Sequence, residues 1–271
     1  MGKVKRVVLL AVVALVVLGR SDVLAEEPKK IRDNSFLIEE AYNQEPGVVQ
    51  HIQGVFYNRK HKSWNYTFIE EWPVPKETHQ LSMTVPVNHT HSDGTETGIG
   101  DILLNYRYQA VLKDPVALAP RFSLILPTGD QGKDLGDGAL GFQVNFPASV
   151  EIGDKWVTHW NLGATYIPNA KGPGKIRGDK TGFNFGASLI YLLSENINVL
   201  VEAVGSSNDV FDGDGLLRRE ESFFLNPGMR FAINFKSGLQ VVPGIAAPIG
   251  VGPSGGEYGV FMYLSLEHPL F

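Results

Sequence analysis

Leu140-Gly141-Phe142-Gln143-Val144-Asn145-Phe146-Pro147-Ala148-Ser149-Val150-Glu151-Ile152 alternates without a break. Leu140, Phe142, Val144, Phe146, Ala148, Val150 and Ile152 fall on one side, and Gly141, Gln143, Asn145, Pro147, Ser149 and Glu151 on the other. A period of two is that of a β-strand with one apolar and one polar face. Ordinary globular strands run about 5–6 residues, whereas a tilted strand that crosses a bilayer needs about 9–11. This one has the length for a membrane. The pattern returns at Ile102, Leu104, Tyr106, Tyr108, Ala110 and Leu112, set against Leu103, Asn105, Arg107, Gln109 and Val111. It returns again at Phe223, Leu225, Pro227, Met229, Phe231, Ile233 and Phe235, set against Phe224, Asn226, Gly228, Arg230, Ala232 and Asn234.

Composition agrees with many strands and turns. Of 271 residues, 30 are Gly and 16 are Pro, above the usual share, with no collagen-like period. Cysteine is absent, which removes disulfide frameworks, thiolate metal sites and cysteine nucleophiles. A net charge of −5 argues against a nucleic-acid partner, because binding phosphates needs a basic face.

Lys3, Lys5 and Arg6 precede an apolar run from Val7 to Leu18, and Val23-Leu24-Ala25 offers a small-residue cleavage site. Residues 1–25 are therefore expected to be a signal peptide, with a run too short to span a bilayer as a helix. The remaining chain carries 20 basic and 28 acidic residues. Residues 26–47 are expected to form a periplasmic N-terminal segment. Within it, Asn34 or Ser35 would cap a short helix from Phe36 to Tyr42, ended by Pro46-Gly47. Nothing in the pattern decides whether this segment enters the barrel.

Residues 48–271 are expected to be an all-β, transmembrane, antiparallel up-and-down barrel of about twelve strands. Their predicted spans are 48–58, 62–73, 78–88, 99–112, 115–128, 139–152, 155–168, 181–193, 196–206, 221–235, 239–249 and 257–267. The number is even, as in bacterial outer-membrane barrels. Connectors alternate short and long: 75–77, 113–114, 153–154, 194–195 and 236–238 against 89–98, 129–138, 169–180, 207–220 and 250–256. With the first strand rising from the periplasm, every short turn is periplasmic and the long loops face outward. Trp64 and Trp72 lie near opposite ends of one strand, and Trp156 and Tyr166 of another, as interfacial girdles require. The expected surroundings are outer-membrane lipid and lipopolysaccharide, with the terminal Phe271 as the feature read by the barrel-assembly machinery. The phase of Val260, Met262, Leu264 and Leu266 runs opposite to that Phe.

Gly98-Ile99-Gly100-Asp101-Ile102, Tyr106-Arg107-Tyr108, Pro120-Arg121-Phe122 and Leu126-Pro127-Thr128-Gly129-Asp130 resemble an outer-membrane family described as "putative MetA-pathway of phenol degradation". The resemblance spans about residues 98–268. It implies a barrel and a role in uptake of small hydrophobic or aromatic molecules.

The polar strand faces define an expected lumen: Asn105, Arg107, Gln109, Arg121, Gln143, Asn145, Glu151, His159, Asn161, Glu202, Asn226 and Arg230. These suit a channel whose charges select solutes, or a closed structural or surface-interaction barrel with the same residues as an internal network. Arg107 and Arg121 sit on adjacent strands and are expected about one residue apart in height, with Glu151 and Glu202 as the carboxylates between them. Chemistry is sparse, and no cofactor is expected. His89, His91 and Asp93 form an H-x-H loop without a fixed third ligand, and the acidic loop Asn208–Gly215 has Val210 where a calcium loop needs its first ligand. An outer-membrane lipid hydrolase is the remote alternative. The nearest look-alike to its H-x-S pair, His159-Trp160-Asn161, has no serine two residues on, so an enzyme is not expected.

Overall fold

The computed structural model describes residue 31 and residues 35–90, 95–174 and 176–270. The expected signal peptide, Asn34, His91, Asp93 and Phe271 lie outside the described residues.

Twelve antiparallel strands follow one another around the wall. Strands β1 (Val48–Asn58), β2 (Ser63–Pro73) and β3 (His79–Thr90) are continuous. The next three are broken. β4 consists of Glu96–Ile99, Ile102–Tyr108 and Val111–Lys113; β5 of Val116–Leu118 and Arg121–Leu126; β6 of Gly141–Asn145 and Ala148–Ile152. β7 (Trp156–Lys171), β8 (Arg177–Ser194) and β9 (Ile197–Phe211) are long and unbroken. β10 joins Leu217–Phe231 to Ile233–Asn234, β11 joins Gln240–Ala246 to Ile249–Gly250, and β12 is Gly259–Pro269. β1 pairs with β12 from Val48 opposite Pro269 to Asn58 opposite Gly259, so the sheet closes. Closure leaves no sheet edge to face lipid, where an unpaired backbone group costs several kcal/mol.

Alternation places the two faces as the sequence indicates. Leu162 is 63% exposed and Trp160 55%, and Leu104, Tyr106, Phe122 and Phe142 are exposed beside them, while Asn105, Arg107, Asn161 and Arg230 are buried inside. A continuous belt of such residues is stable in lipid and not in water. This is an outer-membrane barrel.

Three expectations are corrected. Loops expected at 169–180 and 207–220 are mostly strand, because β7 to β10 run 15–18 residues and project beyond the apolar belt. Their polar ends hid the alternation. The outward hairpins are held by ladder pairs such as Asp209 opposite Arg219, which also meet at 3.1 Å.

Arg107 stands directly opposite Arg121, without the expected offset. The turn pairs Lys113 with Val116 and Val111 with Leu118, and residues 108–110 then face only 119–120. This β-bulge removes the offset.

The helix expected over 36–42 does not form. Ser35 folds back so that its N–H and hydroxyl both bond the Ile38 carbonyl, at 3.1 and 3.2 Å. The N–H groups that would begin a helix are instead taken by the barrel wall.

Candidate functional site

Residues 35–44 lie inside the lower half of the lumen, toward the short turns, and are held by their main chain. The N–H groups of Phe36, Leu37 and Ile38 all point at Glu202 Oε1 on β9, at 2.9, 2.8 and 2.9 Å. Glu202 has no exposure, and its other oxygen accepts from Asn226 Nδ2 on β10 at 2.6 Å. Three successive amides around one anion form a nest, closed here by the wall's own carboxylate. Further along, Glu39 N–H donates to Asn161 Oδ1 (3.0 Å), Ala41 to Ser149 Oγ (2.8 Å), Asn43 to Gln109 Oε1 (2.9 Å) and Gln44 to Gln80 Oε1 (2.7 Å). Asn161 and Gln109 also return donors to the Glu39 and Ala41 carbonyls.

Two plug side chains fill notches in the wall. The Phe36 ring packs on Phe261 and Tyr263, with centroids 5.6 and 5.4 Å away. It can do so because β10 and β11 present Gly228 and Gly244, where a Cβ would come within 2.5 Å of that ring. Ile38 lies over Gly186 on β8 in the same way.

Charge pairing runs through the plug. Gln80, Arg107, Arg121 and Asn145 form one row across β3 to β6. Glu39 enters between the two guanidiniums, with Oε2 at 3.0 Å from Arg121 Nε and Oε1 at 3.4 Å from Arg107 Nη1. Arg107 also meets Glu40 at 3.2 Å and Glu71 of β2 at 3.8 Å. The intervening carboxylates are therefore Glu39, Glu40 and Glu71, not the expected Glu151 and Glu202. Arg121 also donates to Asn105 Oδ1 (2.9 Å), Gln143 Oε1 (3.0 Å) and Ser123. Arg107 is the more completely engaged, by Glu39, Glu40, Asn43 and the Tyr42 carbonyl.

Arg230 does not join this row. It lies lower, with Nη1 3.5 Å from the Ser35 carbonyl, and lines a small crevice with Glu151, His159 and Tyr42. His159 Nδ1 is 2.7 Å from Ser149 Oγ, directly across the β6–β7 ladder. A serine beside a histidine is thus present where the local H-x-S search found none. Both are buried, Tyr42 packs edge-on to the imidazole at 6.3 Å, and the hydroxyl holds the plug's Ala41 amide. The pair clamps the plug.

Above the plug the lumen widens into a cavity of about 390 Å³ with Phe36, Leu37 and Glu39 as its floor. Asn105, Arg121, Gln143, Asn145 and Asn161 line it, together with Ser82, Thr84, Thr165, Asn184, Ser206 and Asn208, none of which is among the expected lumen residues. Ile69 and Leu103 supply an apolar patch.

Two of the residues read for metals, His89 and Asp212, have structural partners. His89 stacks on Trp64 at 5.4 Å and bonds Thr97 at 2.7 Å. Asp212 accepts the amides of Asp214 and Leu216 at 3.0 and 2.9 Å and pairs with Arg218. The motif residues carry a clasp. Asp101 accepts the amides of Gly129 and Asp137 at 2.9 and 2.8 Å, and Leu135 seats against Gly98, Gly100 and Gly129. This pins the 127–140 loop to the rim.

A family profile described as "Putative MetA-pathway of phenol degradation" matches residues 56–246. Among solved structures, an outer membrane channel from Pseudomonas putida superimposes with a TM-score of 0.59 at 14% identity, covering 84% of this chain and 97% of that one. A NanC porin superimposes with a TM-score of 0.54 at 7% identity, covering 82% of this chain and 100% of that one. No curated protein sequence matches.

Proposed function

Because this chain belongs to the family described as "Putative MetA-pathway of phenol degradation", we propose that it is an outer-membrane uptake channel for small molecules, kept shut by its own residues 35–44. The observation that carries this reading is the cup-and-floor arrangement: a cavity of about 390 Å³ whose floor is made by Phe36, Leu37 and Glu39 of the plug. A purely structural barrel has no need of a cavity lined by hydrogen-bonding side chains. A permanently open pore has no need of a floor.

Aromatic solutes are suggested by the family's description. Membrane lipid and lipopolysaccharide around the apolar belt, and the assembly machinery at Phe271, complete the proposed partners.

Planar-bilayer recording tests the reading. The full chain should give small or rare openings, and a chain lacking residues 35–44 should conduct several-fold more. A deletion variant that still shows heat-dependent gel mobility, yet conducts no better than the full chain, would overturn it.

A further inference from the structure

We propose that His51 and His268 form a two-histidine site for a transition-metal dication of the zinc, nickel or copper class, placed across the seam where the first strand meets the last.

The side chains come together on the outer surface of the wall. On β1, His51 alternates with Gln50 and Ile52, both buried on the lumen side. On β2, Glu70 alternates with Glu71, which meets Arg107 inside. On β12, His268 alternates with the buried Glu267. All three therefore point away from the lumen. His51 stands opposite Glu70 and diagonal to His268, which faces Val49. The seam ends where Val48 meets Pro269, one rung beyond His268. A carboxylate and two imidazoles on the outer face of a barrel belong near its end, since ionised groups are costly at the bilayer midplane. The His51 and Glu70 side chains are each 26% exposed, so an ion can reach them.

Distances suit one ion between the rings. His51 Nε2 and His268 Nε2 are 3.2 Å apart while the ring centroids are 5.3 Å apart, so the nitrogen edges face each other rather than the ring faces. With metal–nitrogen bonds of about 2.0–2.1 Å, that separation subtends about 100° at the ion, near the tetrahedral angle. The outer torsion of a histidine side chain is soft, so small ring rotations bring both lone pairs onto the same point.

The far nitrogens place the protons. His268 Nδ1 is 2.9 Å from the Pro269 carbonyl oxygen, which can only accept, so this nitrogen carries the N–H. His51 Nδ1 faces Glu70 Oε2 at 4.0 Å, and a carboxylate favours an N–H on that side too. Both Nε2 atoms then present lone pairs to each other, an arrangement that needs a cation between them. Oxygen acceptors behind the ligating imidazoles are the usual outer partners of a histidine metal site, where they fix the tautomer and raise basicity. Phe68 stacks on the His51 ring at 6.2 Å and steadies it. Imidazole nitrogen selects zinc, copper and nickel over calcium and magnesium. Among the described residues no cluster of three metal-ligating side chains occurs, so water completes the coordination. The bound ion joins β1 to β12, the pairing that closes the sheet.

Calorimetric titration of the untagged full chain in detergent with zinc, in a buffer that does not bind metal, tests this. One equivalent should bind, and zinc should raise the temperature at which the folded band is lost on a gel. Cupric ion in its place should show electron-spin coupling to two imidazole nitrogens. His51→Ala should abolish the binding and the thermal shift together. Glu70→Gln, which touches only the far side of His51, should weaken binding about tenfold. If His51→Ala does not fold, His268→Gln carries the same test at the strand end. No zinc binding by the parent chain, as a pair bridged only by a proton would give, overturns the proposal. Binding that survives a folded His51→Ala or His268→Gln variant also overturns it, and its loss on His89→Ala would move the ion to the outer H-x-H loop. None of these outcomes depends on whether the barrel conducts.

Discussion

The two halves of this lumen are built from the same strands and do opposite things with polar groups. In the lower half, wall side chains are consumed: Glu202, Ser149, Gln109 and Gln80 each accept a plug amide, and the polar groups that pair are buried. In the upper half Asn184 and Asn208 lie against the wall with one long bond each. Residue type does not distinguish the halves, since both are rich in amides and hydroxyls. What differs is where the partner comes from: the plug in the lower half, and neighbouring wall side chains, as in Arg121–Gln143 and Ser206–Ser222, in the upper.

The largest expected effect on this contrast comes from Arg107→Leu. Arg107 is 2% exposed and meets Glu40 and Glu71, so its loss strands buried carboxylates. The cost should be about 3–5 kcal/mol, read as a lower denaturant midpoint in detergent and as a more open pore. Glu202→Gln comes next. It keeps an acceptor but removes the charge from three amide bonds, a loss of about 3 kcal/mol, seen as increased conductance with an intact barrel. If that variant stays as closed as the parent, the nest does not hold the plug. Gly244→Ala intrudes on the Phe36 ring from the wall side, and overpacking of this kind costs about 1–3 kcal/mol. It should raise the open probability without altering any charge. The smallest effect belongs to Arg219→Gln on the outer hairpin. Its pair with Asp209 is solvent-exposed, so stability should move by less than about 1 kcal/mol. A large loss there would mean that exposed pairs on the hairpins stabilise the barrel as much as the buried pairs to the plug do.

Much of the barrel is legible in the alternation. Phe142, Val144 and Leu104 face outward and Gln143, Asn145 and Asn105 inward, as a period of two requires. The strand ends of β7 to β10 were obscured because, outside lipid, both faces are polar and the period has no amplitude. The bulge at residues 108–110 was invisible because a single extra residue leaves no compositional mark. The plug was misread for a different reason. Capping and spacing favour a local helix over 36–42, but Glu202 offers its amides a stronger acceptor from 164–166 residues away. A clue did exist. Arg107 and Arg121 placed two cations on adjacent inward positions, and Glu39-Glu40 is a pair of acids just ahead of the first strand. Asking which carboxylates neutralise a lumenal arginine pair points to that segment.

The contact of Phe36 with Phe261 and Tyr263 also bears on how the molecule is made. The plug is near the start of the described chain, and these two rings are on its last strand, so the contact closes a loop of more than two hundred residues. Contacts of such sequence separation form late, because loop closure has to precede them. Gly244 and Gly228, which admit the same ring, also come from the last third of the sequence. The seat for Phe36 therefore does not exist until β10, β11 and β12 are in place and β12 has met β1. An unfinished sheet has nowhere to dock its own N-terminal segment. Sealing is in this sense a receipt for completed assembly: a barrel becomes tight only when its final strand has arrived.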